Sequence, residues 1–165
     1  MTILPARASR PAVVALLVAA GLLPFSPSHA AEAPQTLAFG DFFAQPIGPR
    51  GLTPKPELLA AVGREVRLVG FMVQREHAQP GRFLLTPRPV TMAEHADGEA
   101  DDLPAATVTV LLDASQASRI VAHQPGPLAL TGRLEYGPVE DETGRISWLR
   151  LRLPPEALAA PTPSR

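Results

Sequence analysis

Residues 64–73 read REVRLVGFMV, largely apolar from Val66 on apart from Arg67, with Gly70 inside it. Ten residues of this kind, rich in β-branched and aromatic side chains, suit a buried strand better than a helix. A glycine inside such a strand marks a bend or a bulge. The stretch Glu65–Val73 is therefore read as one long strand that changes direction at Gly70. Working outward, Arg82–Thr86 (RFLLT) follows the Pro80-Gly81 turn as a second strand. Thr107–Leu112 (TVTVLL) alternates, with Val108, Val110 and Leu112 on one face. Leu128–Tyr136 (LALTGRLEY) places Leu128, Leu130, Gly132, Leu134 and Tyr136 together. Ile146–Leu153 (ISWLRLRL) turns Leu149, Leu151 and Leu153 inward, and Trp148, Arg150 and Arg152 the other way.

Between the third and fourth strands, Asp113–His123 has room for one short helix, capped by Asp113 or Ser115. Five strands with a kinked first member and a helix after the third follow the order of an OB-fold. The predicted class is mainly β: a small five-stranded OB-like barrel over residues 63–154, with one short helix between strands 3 and 4. Residues 31–62 form a Pro-rich lead. Residues 31–36 read as a loose start, 37–45 (LAFGDFFAQ) as a short amphipathic helical pattern, and Pro46, Pro49, Pro54 and Pro56 forbid regular structure across 46–56. Pro56 then opens a helix, PELLAAV, that Gly63 ends. These N-terminal helical segments are expected to pack on the barrel, because Phe39, Phe42, Phe43 and Ile47 need cover. The tail at 155–165 (PEALAAPTPSR) is small, polar and Pro-rich, the composition of a disordered end.

Residues 1–30 read as an export signal. Arg7 and Arg10 precede the uninterrupted apolar run Ala12–Leu23, Pro24 breaks it, and Ser28-His29-Ala30 ends in small residues. Twelve residues make about 18 Å of helix, short of a hydrocarbon core of about 30 Å. The expectation is a periplasmic or secreted protein with no stable membrane insertion after cleavage. Removing residues 1–30 takes away two arginines, leaving thirteen basic and sixteen acidic residues and a net charge of −3. That balance removes the usual electrostatic reason to bind nucleic acid. The chain has no cysteine, which excludes disulfides, thiolate metal sites, cysteine nucleophiles and anchoring through a lipidated cysteine.

The runs GREVRLVGFMV, FLLTP, DLPAATVTVLL and GPLALTGRLEYG together resemble a group of small secreted bacterial proteins of unknown function with an OB-like β-barrel. The resemblance spans about residues 50–153. It implies the fold and the envelope compartment, and through relatives encoded near transporter permeases it implies an association with transport. Many relatives carry a cysteine and a proline run between the second and third strands. Here that stretch is Arg88–Ala106, with only Pro89 and Pro104, so any activity carried by that motif is not expected.

Three constellations are candidates for chemistry. The stretch 94–102 holds Glu94, His95, Asp97, Glu99, Asp101 and Asp102 and no base, oxygen-rich enough for a divalent cation, the one candidate cofactor. Its spacing is not that of an EF-hand, and its plainer reading is a solvated acidic loop. Glu76 and His77 lie in the loop after the first strand, and Glu140, Asp141 and Glu142 in the loop after the fourth. In an OB barrel these two loops share one end. Trp148, Arg150 and Arg152 share a strand face, where an aromatic ring beside guanidiniums can bind a ligand such as a glycan. Their plainer reading is a ring that closes the barrel with arginines flanking it. No G-x-S-x-G, H-E-x-x-H or Walker sequence occurs, and the three histidines beyond residue 30 lie in separate segments. The expected function is a non-enzymatic binding or accessory protein of the envelope, with an envelope protein or a small ligand as partner. A metal-binding protein using 94–102 and a glycan binder using Trp148 are the alternatives.

Overall fold

The structure is a computed structural model that describes residues 33–92, 94–95, 98–99 and 103–158. The expected strands form close to where the apolar runs lie: β2 (Glu65–Met72), β4 (Arg82–Thr86), β8 (Val108–Leu111), β9 (Pro127–Glu140) and β10 (Ile146–Arg152). Short strands accompany them: β1 (Gln35–Leu37), β3 (Gln74–Arg75), β5 (Thr91–Met92), β6 (Glu94–His95) and β7 (Gly98–Glu99). The main sheet runs β1-β2-β4-β8-β10-β9, and β9 also pairs with β2, so five strands close into a ring. Within that ring every pairing is antiparallel except β8 with β10.

Gly70 makes the ring possible. β2 pairs with β1 over Val66–Leu68 and with β4 at Phe71 and Met72, while β9 runs along its other edge. A Cβ on Gly70 would sit 2.7 Å from Phe39 Cε2, 2.8 Å from the Thr86 carbonyl oxygen and 2.9 Å from Leu85 Cγ. Only a residue without a side chain lets β2 pass that close to Phe39 and β4. The interior holds the residues that the alternation turned inward, among them Val66, Leu68, Val108, Val110, Leu130, Leu134, Leu149 and Leu151.

Of the N-terminal helical segments expected on the ring, the one opened by Pro56 forms as a short helix and the one at 37–45 does not. Gln35–Leu37 pairs parallel with β2, Phe39–Asp41 makes a single 3₁₀ turn, and the one α-helix among the described residues, α1, spans only Pro56–Ala61. The reason lies in where the backbone bonds go. Ala44 N–H donates to the Thr53 carbonyl and Lys55 N–H to the Phe42 carbonyl, so the segment binds across itself rather than along itself. Phe39, Phe42 and Phe43 are nonetheless buried as expected, in the same core as the ring, whereas Ile47 is exposed.

Between the third and fourth ring strands there is likewise no α-helix, only the 3₁₀ turn Ala114–Gln116. Asp113 Oδ1 caps it, accepting from the Ser115 amide at 2.9 Å and hydroxyl at 2.6 Å. The segment cannot continue as a helix because it is tied sideways: Gly81 N–H donates to the Arg119 carbonyl. Gly81, at φ +69°, has the Ala117 carbonyl oxygen 2.5 Å from where a Cβ would lie. The tail is ordered further than its composition suggests. Gln116 and Arg119 side chains hold the Pro155 and Leu158 carbonyls, and Ala157 and Leu158 pack on the core. Residues 1–32 and 159–165, including the expected export signal, lie outside the described residues. Among the described residues no helix is long and apolar enough to cross a membrane.

Candidate functional site

The outer face of β4 and β8 is the floor of an open groove of about 880 Å³. Leu84 comes from β4, Thr109 and Leu111 from β8, and Thr107 immediately precedes β8. One wall is the chain after β2, with Arg75 and Gln79, together with Arg82; the other is the β9–β10 hairpin from Val139 to Trp148. β5 folds back on β3, with Gln74 opposite Thr91 and Arg75 opposite Met92. This return strand closes a second, smaller core of Val73, Leu84 and Met92, against which Val90 and Leu103 pack.

The residue that reaches the 140–142 loop is Arg82, which opens β4, rather than Glu76 or His77 of the loop before it. Arg82 Nη1 lies 2.7 Å from Asp141 Oδ2. Asp141 also clasps its own turn: Oδ1 accepts from the Thr143 hydroxyl at 2.6 Å, the Thr143 amide at 2.9 Å and the Arg145 amide at 3.1 Å. Donation by the Thr143 hydroxyl, then by the two amides, with the Arg82 charge behind them, outweighs desolvation and holds this carboxyl below the usual aspartate range. Glu76 and His77 do not line the groove; Glu76 lines a separate cavity of about 90 Å³ with His123, whose Nε2 lies 3.2 Å from the Met72 carbonyl oxygen.

Of the Trp148, Arg150 and Arg152 face, Trp148 and Arg150 reach the groove and Arg152 does not. A register shift between Ser147 and Leu149 aims Trp148 outward, 54% exposed, with its ring 6.3 Å from that of Tyr136. Arg150 is only 7% exposed. Its Nη1 donates to the Gly137 and Ser147 carbonyls at 2.8 and 2.7 Å, and its Nε donates to Glu135 Oε2 at 3.1 Å. Arg152 Nε donates to Glu135 Oε1 at 3.1 Å. Burial alone would raise the Glu135 pKa, but the bonds from Arg152 and Arg150 bring it below its ordinary value. These two arginines therefore hold the hairpin together, and the ring of Trp148 is the part of the predicted triad that stands exposed in the groove.

The groove's other charges were missed by motif reading, because Arg75, Arg82 and Arg145 belong to no motif. Their signal was positional: Arg82 starts the second ring strand and Arg145 precedes the fifth, at the end where both loops converge. Arg145 has its pKa lowered first by burial and then by the charge of Arg75. In the acidic stretch, backbone pairing sets Glu94 opposite Glu99 and His95 opposite Gly98. Asp97, Asp101 and Asp102 lie outside the described residues. Among the described residues no three ligating side chains converge on a cation position.

Comparison with protein-family models, with curated proteins and with solved structures finds no match to this chain. The likeness to small secreted proteins rests on the strand motifs alone.

Proposed function

We propose that this chain is an exported, non-enzymatic binding module of the bacterial envelope whose five-stranded ring is an OB-type barrel. The ring order supports the fold reading: numbered among themselves, the strands neighbour one another as first, second, third, fifth, fourth and first again, with the third and fifth parallel. The functional reading rests on the groove. Its floor is sheet and its walls are two loops locked by Arg82 and Asp141, a preformed concave surface of the kind that recognises another molecule. The signal-like residues 1–30 support the compartment, and the strand-level resemblance supports an accessory role beside a transport system.

A photocross-linking side chain placed at Thr109, on the groove floor, tests this in cells. A defined adduct with one envelope protein is expected from Thr109 and not from Val69, which is exposed on β2 outside the groove. Equal labelling from both positions, or none from Thr109, overturns the reading.

A further inference from the structure

The segment before the ring carries a tight turn that nothing in the fold absorbs. Gly51 N–H donates to the Gly48 carbonyl at 2.9 Å, closing the chain over Pro49 and Arg50, and Gly48 pairs with Gly51. The base of the turn is fixed in the molecule. Ala44 N–H donates to the Thr53 carbonyl and Lys55 N–H to the Phe42 carbonyl, while Phe42 and Phe43 lie in the core. Beyond that base, every residue of 45–53 is exposed. Pro49 fixes one backbone angle of the turn. The tip therefore stands in solvent already shaped, and a partner has little left to order.

Three side chains make this tip. Ile47 and Leu52 immediately flank the Gly48–Gly51 pair and are 56% and 40% exposed. Ile47, expected to find cover on the ring, is left in solvent instead. Arg50, between them in the chain, is exposed, and among the described residues its guanidinium has no hydrogen-bond or ion-pair partner. The charge around it has the same sign. Between Asp41 and Glu65 the charged residues are Arg50, Lys55, Glu57 and Arg64, a balance of +2. The rest of residues 31–165 carries −5, because the total there is −3.

Two aliphatic side chains beside an unpaired cation, on the basic segment of an acidic chain, suit a partner that is anionic outside and apolar beneath. A bilayer is built that way, with phosphates above an acyl boundary. A protein pocket fits less well, since interface anchors are chiefly Trp, Tyr and Arg and this tip has no aromatic ring. We infer that the 47–52 turn seats the protein on an anionic lipid surface, with Ile47 and Leu52 in the acyl boundary and Arg50 on headgroup phosphates. Two side chains and one charge give a reversible, peripheral contact, not a span. The groove shares no residue with this tip, so either reading can fail alone.

The chain has no cysteine, so a single introduced one can carry an environment-sensitive fluorophore. Gly48→Cys is the reporting position, because a Cβ there meets nothing within 4 Å. Val69→Cys, exposed on β2, is the comparison. The full chain is mixed with phosphatidylcholine vesicles, with or without phosphatidylglycerol, that carry a spin-label quencher on the upper acyl chain. With phosphatidylglycerol present, the label at 48 is expected to shift to the blue and be quenched, less so as salt is added. The label at 69 should stay unchanged. In the chain labelled at 48, Ile47→Ser/Leu52→Ser should lower the tip's lipid affinity at least about tenfold. Arg50→Gln should lower it about fivefold. These side chains are exposed, so the variants keep the core. No response at 48, tip variants that respond like the native chain, or the same response on phosphatidylcholine alone overturns the inference. So does equal quenching at 48 and 69, which attachment through the apolar run 12–23 would give. The same change with soluble glycerol phosphate marks a free-anion site and overturns it as well.

Discussion

Glu135 is a single carboxylate shared by two guanidiniums, one of them almost fully buried. Hydrogen bonds to charged groups contribute about 1.5–3 kcal/mol each when neither partner is wasted on water. Arg152 is half in solvent, so its share falls toward that of a surface pair, and Arg150 carries most of the effect. Glu135→Gln should therefore cost about 1–3 kcal/mol, read as a lower urea midpoint. Its pH dependence follows from the lowered pKa. A carboxyl held lower in the folded chain than in the unfolded one stabilises at neutral pH, and that contribution fades as pH falls through the ordinary carboxylate range of about 4 and below. The native protein should lose urea resistance across that window, and the Gln variant should lose less. Identical pH profiles would show that Glu135 does not couple protonation to folding.

At the scale of elements, the β9–β10 hairpin extends beyond the ring as a wall, and its turn is held by one side chain. Asp141 accepts four bonds, three from its own turn and one from Arg82 across the groove. Asp141→Asn keeps the size but removes the charge and turns one oxygen into a donor facing donors. Amide hydrogen exchange at Thr143 and Arg145 should speed up markedly, while amides of β8 and β2 keep their protection. Acid should loosen the same turn in the native protein, only once pH drops through the lowered Asp141 value. This hairpin also shows how far periodicity carries. The strand at 146–152 and its inward Leu149 and Leu151 were legible in the alternation, because burying one face of a sheet enforces period two. The shift between Ser147 and Leu149 was not, since a bulge leaves no mark in composition unless a glycine makes it. Arg150 thus alternated correctly yet ended buried, covered by a carboxylate and two carbonyls that only the fold brings near. The 37–45 stretch failed for a related reason. Its apolar spacing fits a helix turn, but Leu37 and the three phenylalanines are placed by the sheet they cover, and nine residues broken by Gly40 cannot hold a helix against that.

For the whole molecule, the question is whether the lead before the ring belongs to it. Phe42 is fully buried, its ring 5.3 Å from that of Phe39 and 6.5 Å from that of Phe43, and Phe43 in turn meets Tyr136 of β9 at 6.4 Å. Phe39 fills the space that the missing side chain of Gly70 leaves open on β2. Leu58 and Ala61 of α1 lie in the same cluster. The lead is therefore part of one core, and removing its central side chain should be felt by every strand of the ring. Phe42→Ala should cost about 3–5 kcal/mol. The loss should appear as one displaced transition, with Trp148 emission and far-UV circular dichroism moving together. Had the lead been a separate layer, circular dichroism would register an early partial loss and then a second one when the ring itself opened. Coincident curves shifted to lower urea are the outcome that a single core requires, and two separated transitions would break the ring and its lead into independent units.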